Sequence, residues 1–234
     1  MSSARFAIRL LCTMGLRGLL TEVSPMLTRR GLDFAPSYGP TNLLRSRIAA
    51  GETADVAILT DAAIAELIEH GTIAAGSRRD LARSAVGIAV KAGARKPDIG
   101  SAEAFKRVLL AARSVAFSKS GASGMHFAEL IKRLGIANEI ARKTKVVDGV
   151  IGELAAKGEA EIAVQQISEL KLATGIDIVG PLPDALQKIT VFSAGAFATT
   201  TRPAAAELFV AALAASDVAP VMRRQGLEPI AAVG

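Results

Sequence analysis

The architecture follows from one stretch, Ser118-Lys119-Ser120-Gly121-Ala122-Ser123-Gly124, together with its two flanks. A short run, 114–117, precedes the stretch, and apolar residues at helical spacing follow it from Met125 to Leu134. This order predicts a strand, a loop rich in glycine and serine, and the start of a helix. Such a loop presents free backbone N–H groups and hydroxyls to an anion. We therefore predict that this stretch binds a small anionic ligand.

A second stretch, Tyr38-Gly39-Pro40-Thr41-Asn42, has the same design. It follows a predicted strand, 32–37, and opens a predicted helix that ends at Gly51. Pro40 suits the first turn of a helix, because its missing N–H would have no intrahelical partner there. We expect the two loops to face each other across a cleft and to hold one ligand.

Strand-like and helix-like runs alternate along the 234 residues, of which 50% are hydrophobic and only 4% aromatic. This predicts an α/β fold with doubly wound, parallel layers built from Ala, Val, Ile and Leu. Two runs, 81–91 and 190–198, are longer than the other predicted strands and suit strands that cross between two lobes. We predict a discontinuous first lobe, residues 1–81 and 191–234, and a second lobe, residues 82–190.

The composition excludes several classes of function. The net charge is +6, but the basic residues are dispersed and lack interleaved aromatics, which argues against nucleic acid and fits an anionic small molecule. The single cysteine, Cys12, lies in an apolar run and is predicted to be a small buried hydrophobe. No run is long enough to span a membrane. No metal-ligand spacing or nucleotide loop occurs, so we predict no metal site and no cofactor.

The N-terminal residues indicate in which cellular compartment the protein works. Residues 6–12 are predicted to be the first strand, and no signal-peptide cleavage site follows them. The sequence as written therefore predicts a cytoplasmic protein. A processed form, from which a signal has been removed, would instead be periplasmic.

Candidate ligand-binding residues follow from the rule that open α/β sheets bind ligands beyond the carboxyl ends of their strands. The alternative is that these residues only cap helices, since Ser, Thr and Asn are preferred N-caps. Two similar loops, with paired glutamines at a later strand end, favour a shared site over capping alone. The candidates are Thr13, Gly39, Thr41, Asn42, Thr60, Ser118, Ser120, Ala122, Ser123 and Gln165.

Two residues are candidate catalytic groups. His126 lies in the first turn of the helix after the central loop, and histidine is the residue type most often used to carry protons at physiological pH, so it is a candidate proton carrier. The alternative is that His126 packs between the lobes or faces solvent, because no carboxylate partner lies close in the sequence. Lys119 is the full positive charge of the loop, and it either pairs with a ligand carboxylate or is solvated.

Five stretches carry a resemblance to a known family, and they recur in order along nearly the whole chain. The chain resembles the extracellular solute-binding protein superfamily, in the branch of the molybdate-binding proteins of ABC transporters. Some relatives of this fold are enzymes, including an aconitate isomerase that resembles this branch. The stretches are Tyr38-Gly39-Pro40-Thr41-Asn42-Leu43, 51–60, 76–82, Gly121-Ala122-Ser123-Gly124-Met125-His126-Phe127 and Val164-Gln165-Gln166-Ile167-Ser168-Glu169.

The resemblance implies a type 2 periplasmic-binding-protein fold, with two α/β lobes, two crossing strands and a ligand cleft between the lobes. It also implies that hydroxyls and amides of both lobes hold the ligand, and that an exported form works with an ABC transporter permease. Carried over, the first lobe contributes Thr41 and Asn42, and the second contributes Ser120, Ala122 and Ser123.

The chain departs from this family pattern at two places. The first-strand loop has Thr13 where the family usually has a serine pair, and Pro40 removes an amide donor from the second loop. Both departures leave room for an organic anion larger than a tetrahedral oxyanion.

Two functions are compatible with these features. The first is binding of a small oxyanion or organic carboxylate, with lobe closure as the only action. The second is a cytoplasmic isomerase or tautomerase that moves a proton on a small unsaturated di- or tricarboxylic acid, for which a base is needed.

Overall fold

A computed structural model describes residues 7–230, which divide into two compact units. Unit 1 runs to Arg83 and resumes at Thr190, whereas unit 2 is Ser84–Ile189. The sequence placed these divisions after residues 81 and 190. The described helices and strands alternate along both units, as expected for an α/β protein.

The elements are named in chain order. The strands are β1 (Ile8–Thr13), β2 (Phe34–Gly39), β3 (Val56–Thr60), β4 (Arg79–Ser84), β5 (Val86–Lys91), β6 (Val115–Ser118), β7 (Thr144–Val147), β8 (Ile162–Gln166), β9 (Ile176–Pro181), β10 (Thr190–Ala196) and β11 (Glu228–Pro229). The α-helices are α1 (Arg17–Arg29), α2 (Thr41–Ala49), α3 (Asp61–Glu69), α4 (Ala102–Ala111), α5 (Ala122–Arg133), α6 (Ala137–Ala141), α7 (Gly152–Ala156), α8 (Ile167–Leu170), α9 (Pro203–Leu213) and α10 (Ala219–Arg224).

Unit 1 contains a six-stranded sheet in the order β11-β4-β10-β3-β1-β2. Strand β1 is parallel to both β2 and β3, and β10 is antiparallel to β3. Alternate residues of β1 enter different cores, with Leu10 and Cys12 on one face and Leu11 on the other. Cys12 is fully buried, and this burial raises the pKa of its thiol. The thiol therefore serves as a small core group, in agreement with the sequence.

Unit 2 contains a five-stranded sheet in the order β7-β6-β8-β5-β9. Strand β6 is parallel to β7 and β8, whereas β5 is antiparallel to β8 and β9. One face packs through Phe117 and Phe127, whose rings meet edge-on with centroids 5.0 Å apart. The other face packs through small residues such as Ala116 and Ala163. The parallel strands therefore bring the residues after β6, β7 and β8 to one edge of this sheet.

The α/β prediction is confirmed, with two differences in detail. Both sheets are mixed rather than parallel, because β10 and β5 run against their neighbours. The run 81–91 forms two strands rather than one, and Ala85 separates them, its carbonyl accepting a hydrogen bond from Ile167 N. The break coincides with a change of sheet, because β4 belongs to unit 1 and β5 pairs within unit 2. Of the predicted first strand 6–12, Phe6 lies outside the described residues.

Asp55 precedes β3, and its side chain is nearly fully buried. Its Oδ2 accepts a hydrogen bond from Arg9 N at 2.7 Å, and its Oδ1 accepts one from Thr200 Oγ1 at 2.7 Å. Asp55 also forms an ion pair with Arg202. Burial by itself would raise the pKa of Asp55, but these hydrogen bonds and the Arg202 charge outweigh it and lower the pKa. Asp55 therefore links β1 and β3 to the segment after β10.

Candidate functional site

The central loop of unit 2 leads into α5, a helix of 12 residues. Its N-cap is Gly121, which has no side chain to accept hydrogen bonds from the first turn. The first N–H groups of a helix have no intrahelical partner, so those of Ala122 and Ser123 point out of the helix start. A Cβ at Gly124 would lie 1.8 Å from the Ser118 carbonyl oxygen. Glycine therefore lets α5 begin directly against the end of β6.

Ser123 provides the most direct indication of a ligand. The residue is 1% exposed, and its Oγ is the only buried side-chain polar atom of residues 7–230 without a hydrogen-bond partner. Leaving a buried hydroxyl unpaired costs free energy, so native proteins rarely do it. The hydroxyl lies in the same turn as the uncapped amides of α5. A ligand oxygen bound to this turn would satisfy both.

The structure gives two predicted ligand residues another role. Ser118 Oγ accepts a hydrogen bond from Gly121 N at 2.9 Å. Ser120 donates to Asp148 Oδ1 from its Oγ at 2.7 Å and from its backbone N at 3.1 Å. These bonds hold the loop in the shape that exposes the first turn of α5. The sequence reasoning missed Asp148, although its position directly after a strand is the signal that selected the other candidates.

Gln165, another predicted ligand residue, is 1% exposed and holds a neighbouring turn. Its Oε1 accepts a hydrogen bond from Ile151 N at 2.8 Å, and its Nε2 donates to Gly149 O at 2.9 Å. The same Nε2 also donates to Glu169 Oε2. Since an amide nitrogen has two hydrogens, both donors of Gln165 are already used. Its role is therefore to position the turn that follows β7.

Glu169 is a titratable group at this edge that sequence reasoning did not select. Burial of its carboxyl group raises its pKa to about 7, and the hydrogen bond from Gln165 opposes this shift only in part. Within residues 7–230, Glu169 forms no ion pair. A carboxyl group with this pKa exchanges a proton near neutral pH, which is what a general acid or base requires.

The two predicted proton carriers have different surroundings. His126 is partly buried, and its Nε2 lies 2.8 Å from Leu186 O. Because a carbonyl oxygen only accepts, Nε2 carries a hydrogen and donates it, which leaves Nδ1 as the second ring nitrogen. Lys119 is exposed, and its backbone N donates to Val147 O. Its side chain forms no ion pair with any described residue.

Unit 1 brings its predicted residues to one sheet edge as well. Thr13 ends β1 beside Gly39, its register partner at the end of β2. Thr60 ends β3 and precedes α3, but its side chain does not cap that helix. The nine-residue helix α2 begins at Thr41 after Pro40, which likewise provides no side-chain cap. This edge therefore combines two threonines with a second uncapped helix start, while Asn42 already has a partner.

A cation and an apolar residue border the edge in unit 1, and neither was predicted. The Arg17 guanidinium lies over the Tyr38 ring, with its Cζ 5.9 Å from the centroid. Arg17 has no ion pair among residues 7–230. Leu43, in the first turn of α2, is 50% exposed. In unit 2, Met125 in the first turn of α5 is 43% exposed. Both uncapped turns therefore carry an apolar side chain beside their donors.

No group of three or more His, Cys, Asp or Glu residues in 7–230 is arranged to hold a metal ion. Over the same residues, every helix is too short or too polar to cross a bilayer.

Comparison with known proteins adds one sequence relative and several structural ones. An aconitate isomerase from Pseudomonas sp is 36% identical over 233 residues, an alignment that covers 96% of this chain and 88% of the relative. The periplasmic molybdate-binding protein of Azotobacter vinelandii is 18% identical, with a TM-score of 0.78 over 94% of this chain and 98% of that protein. The sulfate-binding protein SubI of Mycobacterium tuberculosis is 16% identical, with a TM-score of 0.74 over 96% of this chain and 87% of that protein.

These structural relatives confirm the fold that the sequence predicted, with the periplasmic-binding-protein architecture in both units. A family model adds the family itself, since it matches residues 8–228, nearly the whole described chain. The protein thus belongs to the bacterial extracellular solute-binding protein family.

Proposed function

We propose that the protein binds a small organic carboxylate, which the first turn of α5 holds through backbone N–H groups and a hydroxyl group. The observation that carries this proposal is the buried, unpartnered Oγ of Ser123 in an uncapped helix turn. Helix N-termini attract anions through these free N–H groups and through the helix dipole. A carboxylate oxygen would accept from both the hydroxyl and the amides.

Several features favour an organic anion over a tetrahedral oxyanion. Pro40 removes one amide donor from the turn before α2, and the end of β1 has the single hydroxyl of Thr13. Arg17 adds a full positive charge, which suits a further carboxylate. Leu43 and Met125 each place an exposed apolar side chain beside the donors of their own helix start, which suits a ligand with a hydrocarbon portion. The relative that is 36% identical is an aconitate isomerase, and aconitate is an unsaturated tricarboxylate.

Binding can be tested by removing one oxygen atom. Ser123→Ala should weaken carboxylate binding by about tenfold or more, because a hydrogen bond to a charged group is lost. The free protein should be as stable as the wild type or more stable, because an unsatisfied buried hydroxyl disappears. Calorimetric titration with cis-aconitate, citrate, molybdate and sulfate measures the first effect, and urea unfolding measures the second.

Ser216→Ala is the matched control, since Ser216 is exposed and lies in the other unit. It should leave affinity unchanged. Equal carboxylate affinity in the wild type and Ser123→Ala would contradict the proposed site, and tight binding of molybdate alone would contradict the ligand class.

A second function, isomerisation of a small unsaturated di- or tricarboxylic acid, is favoured by the identity to aconitate isomerase over nearly the whole chain. The Glu169 carboxyl group, with its pKa of about 7, would supply a proton acceptor at neutral pH. The reaction would remove a proton from the carbon next to the double bond, shift the double bond toward that carbon, and return a proton to the far carbon of the original double bond. Lys119 and His126 stay candidates for the same role.

Isomerisation predicts deuterium incorporation into bound cis-aconitate in heavy water, observed by NMR. Glu169→Gln should slow this exchange by about 100-fold or more, the usual contribution of a general base. Lys119→Ala and His126→Ala, assayed in parallel, test the other two candidates. Exchange that survives in Glu169→Gln would exclude Glu169 as the base, whereas binding without exchange in the wild type would leave binding as the function.

An ABC transporter permease as partner of an exported form stays a prediction.

A further inference from the structure

Unit 2 contains a cavity of about 690 Å³ that the proposed function does not use. Ser114, which precedes β6, and Ile162, which begins β8, line it. Lys91, the last residue of the antiparallel strand β5, lies at the same edge of the sheet. The cavity therefore lies at the amino ends of the parallel strands, opposite the edge that carries Ser123.

The floor of this cavity is apolar and well packed. Val90 and Ala112 are each 4% exposed, Ile162 is 2% exposed and Ala160 is 1% exposed. These residues come from three separate segments of unit 2, and Ala112, Ala160 and Ile162 belong to its hydrophobic clusters. Its volume is within the usual range of about 300–1,000 Å³ for small-molecule sites.

The rim is positively charged. Lys91, Arg95 and Arg113 line it together with one carboxylate, Glu161, which leaves a net charge of +2 from three cations and one anion. Glu161 is already occupied, since its Oε2 accepts from Arg113 N at 2.9 Å and from Arg113 Nε at 3.2 Å. Lys91 and Arg95 form no ion pair within residues 7–230. Two uncompensated cations thus stand beside an apolar floor.

A neighbouring lysine increases this positive field. Lys143 Nζ donates to Leu110 O at 2.6 Å and to Ala112 O at 2.7 Å, the carbonyls at the end of α4. These carbonyls would otherwise present negative partial charge beside the cavity. Because Lys143 donates to both carbonyl oxygens, they do not compete with a ligand for Lys91 and Arg95.

We propose that this cavity is a second ligand site, which takes an amphipathic anion with one carboxylate and a hydrocarbon body. The hydrocarbon would lie on the floor of Val90, Ala112, Ala160 and Ile162. The carboxylate would pair with Lys91 and Arg95. Burial of the hydrocarbon supplies affinity in proportion to its area, and the cations favour an anion over neutral and positively charged compounds. The site is independent of the first turn of α5.

Octanoate is a suitable probe, with butanoate and 1-octanol as comparisons that lack the hydrocarbon length or the charge. Titration calorimetry should show octanoate binding at least about tenfold tighter than both. The double variant Lys91→Ala/Arg95→Ala should weaken octanoate binding by about tenfold or more. Octanoate binding should be the same with and without saturating citrate, because the site proposed for citrate lies at the opposite edge of the sheet.

The charge-matched control is Arg133→Ala/Lys188→Ala, which removes one exposed arginine and one exposed lysine from the same unit. It should bind octanoate as the wild type does. Unchanged octanoate affinity in Lys91→Ala/Arg95→Ala, an equal loss in the control, or loss of octanoate binding in the presence of saturating citrate would each overturn the proposal. Folding of each variant is checked by its urea midpoint, which surface lysine and arginine substitutions should hardly alter.

Discussion

At the scale of single residues, Ser123 and Glu169 each destabilise the free protein, and both lie at the same sheet edge. Ser123 has a neutral hydroxyl without a partner, whereas Glu169 has a carboxyl group that burial disfavours in its ionised form. Both costs are typical of functional sites, where groups are held ready for a ligand or a proton. Asp148 and Gln165, in contrast, have their hydrogen bonds satisfied within the protein. Ser123 and Glu169 are therefore better candidates for contact with a ligand than Asp148 and Gln165.

The raised pKa of Glu169 predicts how stability varies with pH. Its pKa rises from 4.5 to about 7 on folding, so the folded protein favours the protonated carboxyl group. This contribution is fully present below pH 4.5 and is lost as the pH rises through about 7. The full loss corresponds to about 3 kcal/mol. Glu169→Gln, which imitates the protonated form, should therefore stabilise the protein at pH 8 and have little effect at low pH.

Urea unfolding at pH 4.5 and pH 8 measures this difference. Glu139→Gln is the control, because Glu139 is exposed and should show the same stability as the wild type at both values. A stabilisation by Glu169→Gln that is equal at the two pH values would show that titration of this carboxyl group is not its cause.

At the scale of elements, the site depends on how closely helix α5 approaches strand β6. Gly124 allows this approach, since a Cβ there would lie 1.8 Å from Ser118 O and 2.7 Å from Ser118 C. Gly124→Ala must therefore push the helix start away from the strand. We expect a loss of about 1–3 kcal/mol in the free energy of unfolding, as for other overpacked positions. Carboxylate affinity should fall as well, because the first-turn amides move.

Gly76→Ala is the matched control, because nothing lies within 4 Å of a Cβ at that glycine. Its unfolding free energy and its ligand affinity should both equal those of the wild type. Wild-type affinity in Gly124→Ala would show that the ligand does not depend on the position of this helix start.

At the scale of the whole molecule, two units of one chain carry similar uncapped helix starts. The sequence predicts one ligand for both loops, so a change in either unit should weaken binding. Thr41→Val keeps the shape of the side chain and removes the hydroxyl, so it should weaken carboxylate binding by several-fold. The double variant Thr41→Val/Ser123→Ala should lose about the product of the two single effects.

Calorimetric titration of the two single variants and the double variant completes this cycle. Thr13→Val extends it to a second hydroxyl of unit 1, one that is largely buried. If Thr41→Val and Thr13→Val both bind the carboxylate as the wild type does, the ligand is held by unit 2 alone.

The sequence by itself determined the α/β class, most strand and helix positions and the places of the two loops that we propose as anion sites. These depend on local spacing of apolar residues and on Gly, Pro and Ser at turns, which neighbouring residues alone specify. Only the tertiary structure decided which candidate side chains are available. Ser120 and Gln165 are occupied by groups 28 and 16 residues away, Asp148 and Gly149, which no local pattern pairs with them. The same packing leaves Ser123 Oγ unpartnered and buries the Glu169 carboxyl group, because burial depends on which distant segments fold over a residue.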